Sequence, residues 1–406
     1  MTTLKDIRSV WSFTLLIAGL GYFVDSFDIA LYGVVRLSSL NALGVTDPAA
    51  VLDAGLTIYN AQMAGMMVGG IAWGLLADRR GRLSVLFGSI LLYSLASIAN
   101  AFVTSVPMYA LCRFIAGVGL AGELGAAITL VAESLPKEKR GIGTTIVATM
   151  GLLGVTTAAL VGPRLQWQTA YIVGGVLGLL LLVARMRLVE STLFTRTAET
   201  TPPRPLSLFR GGRLKTYIAC VMVGVPIYFA NGVLLTFAPE IVGGLGVKGT
   251  VSAANAILFG SLGLATGDLA SGLLSQRLRS RKKVLALCLG LGFVLIVAYT
   301  QVSGLTPNAL YALNFLISAT VGYWAVLMTV SAEQFGTNVR GVVTTTVPNF
   351  VRGSALFAAS SFGFLKGKMP VPTAALIVGA VCFAIGMLAL TQLDETFGRD
   401  LDFVET

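Results

Sequence analysis

The chain has 406 residues, 55% hydrophobic and only 12% charged, with a mean hydropathy of +0.82 and a formal net charge of +10. Soluble domains carry about 25% charged residues, so this composition excludes an ordinary water-soluble globule and points to a chain threaded through a bilayer. There is no histidine, which removes the commonest catalytic base and metal ligand. Cys112, Cys220, Cys288 and Cys382 each lie singly in apolar segments, as packing thiols do.

A membrane-crossing helix needs about 20 mostly apolar residues. Twelve such segments follow in order, near 10–35, 55–77, 83–103, 107–132, 141–162, 169–187, 216–239, 252–276, 284–302, 307–330, 341–363 and 372–393. The first is long and holds Asp25 and Asp28, so it reads as a retained span and not as a cleaved leader. About 22 of the 29 Lys and Arg fall on the side holding both termini, about five fall opposite, and Arg113 and Arg352 lie within spans. The positive-inside rule makes the first side cytoplasmic. The net charge is therefore a topology signal, and no basic patch interleaved with aromatics marks a nucleic-acid surface.

Between spans two and three, "GLLADRRGRLSVLFGS" (residues 74–89) packs Asp78, Arg79, Arg80 and Arg82 into five positions. A blurred copy, "GLLSQRLRSRKKVLAL", starts 198 residues later at Gly272, and "ESLPKEKRG" from Glu133 returns as "EQFGTNVRG" from Glu333 at an offset of 200. Two separated motifs sharing almost one offset indicate a parallel duplication of six spans, and transporters place substrate at the interface of such repeats. The polar stretch 188–214 reads as a cytoplasmic linker. It separates an N-terminal six-helix half (1–187) from a C-terminal one (215–394), with a cytoplasmic tail over 395–406. The expected fold is an all-α membrane protein of twelve transmembrane helices in two pseudo-symmetric halves.

The charged knot reads as a cytoplasmic gate. Gly74 permits a close helix contact, Asp78 can cap a neighbouring helix N-terminus, and Arg82 can pair with Glu133. Arg140, Glu333 and Arg340 belong to the same motif and its copy. In the second half Gln276 replaces the aspartate, so that copy is expected to act as packing and topology signal only.

Ionisable groups inside spans are costly and are functional candidates by default. Asp25 and Asp28 lie three residues apart, nearly on one helix face. Two such carboxylates cannot both ionise comfortably in a low dielectric, which suits a proton carrier. Glu123 in span four has two roles open to it, proton relay or pairing with an arginine. Arg113 lies in the same span and has a structural role open to it as well as substrate contact. Arg352, with Asn349 one turn earlier in span eleven, needs an anionic partner: Asp25, Asp28 or a substrate carboxylate, which a guanidinium binds bidentately. Asn231 and Tyr228 in span seven, with Tyr323 and Trp324 in span ten, offer hydrogen bonds and an aromatic wall. Asp268 in span eight reads as a local cap or partner.

These residues resemble the major facilitator superfamily of secondary transporters. "GLLADRRGRLSV" is similar to its loop 2–3 signature, and "RFIAGVGLAGELGAAITLVAESLPKEKRG" resembles its fourth span with the closing Glu-x-x-Pro-x-x-x-Arg-Gly. "VEST" after span six and "ETFGRDLDFVE" at the end resemble the sugar-porter-like branch, and "DSFDIALYG" resembles the Asp-Gly-Phe/Tyr-Asp motif of bacterial proton symporters for organic acids, with Ser26 in place of the glycine. The resemblance implies alternating access by two rocking halves, proton-coupled uptake of a small organic anion or polar metabolite, and Arg113 as the span-four arginine. Efflux by proton antiport is the alternative, but its span-five signature is present only as "GPRLQ" from Gly162. A membrane sensor is a third reading, for which the longest loop leaves no room for a soluble domain.

"GLAGELGAA" is also similar to the animal organic-ion carriers, whose large first outer loop does not fit within 36–54, so a bacterial inner membrane is expected. No nucleophile–base pair, metal cluster or phosphate-binding glycine loop is present, so no enzyme activity, cofactor or metal is expected. The expected partners are a small-molecule substrate, protons and membrane lipid, with the chain acting as a monomer.

Overall fold

The computed structural model describes residues 13–80, 82–123, 140–192 and 213–398. Among them every regular element is helical. The first run comprises α1 (Phe13–Ala42), α2 (Pro48–Arg80), α3 (Arg82–Asn100), α4 (Val106–Leu120), α5 (Arg140–Val161) and α6 (Trp167–Thr192). The second comprises α7 (Arg213–Tyr228), a π-helical segment (Phe229–Leu234), α8 (Ala238–Gly243), α9 (Ala253–Leu278), α10 (Arg281–Gln301), α11 (Pro307–Thr320), α12 (Trp324–Glu333), α13 (Thr337–Lys366) and α14 (Val371–Thr391).

Among the described residues, eight stretches are long and apolar enough to cross a membrane: α1, α5, α6, α7 with its π segment, α9, α10, α11 with α12, and α14. Helices α3 and α4 are apolar but shorter. Helices α2 and α13 have 33 and 30 residues, ample length for a span, and are more polar because they carry groups such as Gln62, Asn349 and Arg352. Together these make the twelve transmembrane helices.

By packing, the chain forms two units, Met1–Gly44 with Ala64–Pro202, and Val45–Met63 with Pro203–Thr406. The expected halves differ from this in the first turns of α2, which join the second unit. Asp53 there meets the Lys366 ammonium at 2.6 Å, and the Tyr59 ring stands edge-on to Phe237 with centroids 5.9 Å apart.

The duplication is visible inside each unit. Gly65 and Gly69 of α2 lie against the main chain of Phe114 and Val118 in α4, and a β-carbon on either would sit 2.1 or 2.4 Å from a carbonyl oxygen. Gly263 and Gly267 of α9 lie in the same way against Phe315 and Ala319 of α11, at 2.1 and 2.0 Å. Both glycine pairs are offset by 198, the spacing that relates Gly74 to Gly272. Any side chain would wedge these helices apart, and close backbone approach is what small residues supply between membrane helices. The helices they pack against begin alike: the Ser105 hydroxyl accepts from the Met108 N–H, and the Thr306 hydroxyl from the Ala309 N–H, each with a proline in the first turn. Such caps satisfy amide groups that the helix itself cannot.

Candidate functional site

In the first unit, α1 carries both predicted carboxylates into a fully enclosed position. Asp28 is held on three sides. Arg113 of α4 donates from Nη1 to Asp28 Oδ2 at 3.0 Å and from Nη2 to the Asp28 carbonyl at 3.2 Å. The Ser97 hydroxyl of α3 donates to Asp28 Oδ1 at 2.8 Å. The guanidinium lies over the rings of Tyr32 and Tyr171, 5.8 and 5.5 Å from their centroids, where aromatic faces stabilise a cation. Behind it the Tyr109 and Tyr171 hydroxyls share a 2.5 Å hydrogen bond. Arg113, for which substrate contact and a structural role are both open from the sequence, is the ion-pair partner of Asp28.

A second buried ion pair lies in the same unit. Arg185 of α6 donates from Nη1 to Glu123 Oε1 at 3.1 Å. Its Nη2 approaches Oε2 at 3.0 Å, at an angle too bent for a hydrogen bond. Of the two roles open to Glu123, pairing with an arginine is the one observed. Gly21 of α1 makes room for it, since a β-carbon there would lie 2.0 Å from Arg185 Nη2. Arg185 lies near the end of the span expected over 169–187; α6 runs on to Thr192, and the residue is 1% exposed.

In the second unit two spans are interrupted, and the interruptions meet. Pro226 cannot donate an amide hydrogen bond, and α7 relaxes past it into the π-helical turns Phe229–Leu234, a distortion found often at functional sites. Span ten breaks between α11 and α12. There Gly322 fits against Gly267 of α9, Ser271 donates to the Gly322 carbonyl at 2.8 Å, and Asp268 accepts from the Ala325 N–H at 3.2 Å. Asp268 is thus the local cap expected of it. The Ser318 hydroxyl donates to Asn231 Oδ1 at 3.1 Å, joining one break to the other.

Four of the predicted substrate residues gather beside these breaks. The Tyr228 and Trp324 rings stand edge to face with centroids 6.0 Å apart. The Arg352 Nε donates to the Tyr228 hydroxyl at 3.1 Å, and Asn349 lies one turn away on the same helix, also buried. Tyr323 does not join them: it is enclosed and its hydroxyl donates to the Val223 carbonyl at 2.9 Å, beside the carbonyl that Pro226 leaves unpaired.

The second copy of the charged knot departs from expectation. It holds an ion pair as well as a topology signal: Arg281, the first residue of α10, donates from Nε and Nη2 to Glu333 at 2.7 and 2.9 Å. Thr396 donates to the same carboxylate at 2.7 Å, and the Phe397 ring lies 5.6 Å from the Arg281 guanidinium carbon. Glu395 accepts from the Ser280 hydroxyl and from the main-chain N–H groups of Arg281, Lys282 and Phe397. Gln276 stands where the first copy has Asp78, and the arginine–glutamate pair is present in this copy. Arg340 Nε donates to the carbonyls of Ala332 and Phe335 at 2.9 and 3.2 Å, a cation at the C-terminal end of α12 where the helix dipole favours one.

In the first copy, Asp78 lies in the last turn of α2, Arg82 begins α3 and Arg140 begins α5. The side chains of these three, and Glu133 altogether, lie outside the described residues. A β-carbon on Gly74 would meet no described atom within 4 Å, while Gly65 and Gly69 of the same helix do lie against a neighbouring main chain. Sequence reasoning missed Ser97, Arg185 and Arg281. The signal for Arg185 was its place inside the predicted end of span six, 169–187. For Arg281 it was its place at the head of a span, as Arg82 stands in the first half.

Among proteins of known function, the chain is 25% identical over 397 residues to the sialic acid transporter NanX of Escherichia coli K12, covering 96% of each. It is 27% identical over 434 residues to the gallate transporter of Pseudomonas putida, covering 95% of this chain and 93% of that one. In fold it matches the crystal structure of a D-xylose-proton symporter with a TM-score of 0.70 at 17% identity, over 95% of this chain and 98% of that one. These relatives are transporters and not enzymes. Residues 18–365 match the family description Major Facilitator Superfamily, and the chain belongs to that family of membrane transporters.

Proposed function

We propose that the protein is a proton-coupled uptake carrier for a small organic anion, working by alternating access in a bacterial inner membrane with both termini in the cytoplasm. The observation that carries this reading is the guanidinium of Arg352. It is buried in a span, engaged by Tyr228, and flanked by Trp324 and Asn349. An ionisable group inside a span is a functional candidate by default, and a carboxylate is the anion whose geometry fits a guanidinium fork. Two relatives are named for the transport of acids, sialic acid and gallate.

Proton coupling rests on Asp28. Its carboxylate can exist as the Arg113 ion pair or, when protonated, as a neutral acid that loosens the arginine's hold. In this reading Asp25 is the adjoining acid on the same helix, and Glu123 with Arg185 holds the same unit together. The knot residues Asp78, Arg82, Glu133 and Arg140 form the cytoplasmic gate, with Arg82 and Glu133 pairing as Arg281 and Glu333 do. The carrier acts as a monomer.

The test is uptake into proteoliposomes holding the purified protein, with a panel of organic acids, each with and without an inward proton gradient. Accumulation of one or more acids above the external concentration only when the gradient is imposed is the expected result. Efflux driven by the same gradient, or accumulation indifferent to it, would overturn the proposal.

A further inference from the structure

The turn between α9 and α10 carries five cations within seven residues: Arg277, Arg279, Arg281, Lys282 and Lys283. Two are committed to the protein. Arg281 is bound by Glu333, and Lys282 donates its ammonium to the Leu393 carbonyl at 2.7 Å. The other three, Arg277, Arg279 and Lys283, are exposed, and their side chains have no partner among the described residues.

Two further observations bear on these three. Arg279 is the only non-glycine residue with positive φ among the described residues (φ +48°, ψ +38°), a left-handed conformation that a β-carbon disfavours. At the offset that aligns Gly272 with Gly74, the corresponding position of the first copy is Gly81. The second copy thus has an arginine, in a left-handed conformation, where the sequence of the first has a glycine, and such strain persists where the side chain has work to do.

The placement of the other two cations indicates what that work is. Leu262, Leu269 and Leu273 of α9 are exposed along one helix face, which Arg277 continues one turn further on. Leu287, Leu291 and Val294 of α10 form a second exposed face, which Lys283 continues one turn before Leu287. In a membrane protein such apolar faces meet lipid tails, so the two cations stand where those tails end, with Arg279 in the turn between them.

We propose that this turn binds one anionic glycerophospholipid. Arg277, Arg279 and Lys283 take its phosphate and negatively charged headgroup, and its acyl chains lie along the leucine faces of α9 and α10. Phosphate oxygens accept from guanidinium and ammonium groups through charge-assisted hydrogen bonds, and cations beside an anionic membrane surface add binding in proportion to their number.

Native mass spectrometry of the purified full-length protein in detergent tests this, using phosphatidylglycerol and phosphatidylcholine of matched chains. Phosphatidylglycerol is expected to be retained in preference, and each cation removed should weaken that retention about fivefold. Two variants separate lipid binding from folding. Arg277→Gln with Lys283→Gln leaves the turn's backbone unchanged. Arg279→Gly relieves the left-handed strain, so it should melt no lower than the parent in phosphatidylcholine while losing retention of phosphatidylglycerol. Equal retention of the two lipids, unchanged retention in both variants, or displacement of phosphatidylglycerol by an equal concentration of inorganic phosphate would each overturn the proposal, the last by making the site one for free anions.

Discussion

Arg113 grips Asp28 twice, by the carboxylate at 3.0 Å and by the main-chain carbonyl at 3.2 Å, so protonating the side chain breaks one contact and leaves the other. That geometry allows the arginine to be loosened without being released. Asp28→Asn should therefore leave the protein folded, abolish accumulation driven by a proton gradient, and spare one-for-one exchange of substrate across the membrane. Ser97→Ala removes a hydrogen bond to the same carboxylate and should shift the pH profile of uptake without abolishing coupling. Counterflow and gradient-driven uptake in proteoliposomes check both. Normal accumulation by Asp28→Asn would move the coupling site to another acid, with Asp25 first in line.

The Glu123–Arg185 pair makes a different prediction, because neither partner can be removed alone without stranding a buried charge. Breaking a buried pair from one side costs about 3–5 kcal/mol, whereas replacing both partners by neutral groups can be nearly free. Arg185→Met should lower thermal stability sharply, and adding Glu123→Gln should restore most of it. If the double variant stays folded and still concentrates substrate, the pair is structural. If it folds but no longer couples, Glu123 carries protons.

The contacts at the far end of the chain give a pH-dependent prediction. Partial burial of the Glu395 carboxyl raises its pKa, but the hydrogen bonds from Ser280, Arg281, Phe397 and Lys282 outweigh that and hold it below the usual carboxylate value. A carboxyl that titrates lower when folded contributes stability that is fully present above its unfolded pKa and lost as pH falls through the folded one. The melting-temperature advantage of the parent over Glu395→Gln should thus be constant near neutrality and shrink as the solution is acidified through the carboxylate range. A constant gap throughout would mean that the hydrogen bonds matter and the charge does not.

The fold was legible in the sequence because a bilayer imposes a length and a polarity on every span, and because the duplication repeats at a fixed offset. The glycine pairs at 65 and 69 and at 263 and 267 carry that offset as plainly as the charged motifs do. The partners of the buried charges were less legible. Asp28 and Arg113 are 85 residues apart, and the sequence gives the cost of burying each without saying which cation answers which acid. Arg185 falls inside the sixth expected span, 169–187, but beside the cations at its end, so the sequence does not separate a buried partner from a topology charge there. Tyr323 shows the opposite error, since an aromatic beside a helix break looks like a binding residue whether its hydroxyl faces a cavity or closes a backbone carbonyl.

Arg352 carries the last prediction, that it reads a negative charge on the substrate. Its Nε donates to the Tyr228 hydroxyl, and the planar fork of its guanidinium is the feature that would read a carboxylate. Arg352→Lys keeps the charge but loses the planar fork, so it should weaken binding of the acid and not preserve it. Tyr228→Phe removes one hydrogen bond to a charged group, worth about 1.5–3 kcal/mol, which is roughly tenfold or more in affinity. Arg352→Gln should lose binding of the acid while a neutral amide analogue of the same substrate is affected far less. Competition of each analogue against labelled acid, measured on folded protein in detergent, reads these differences separately from coupling. Equal losses for acid and amide in Arg352→Gln would mean that the arginine shapes the π-helical break through Tyr228 and never touches the substrate's charge.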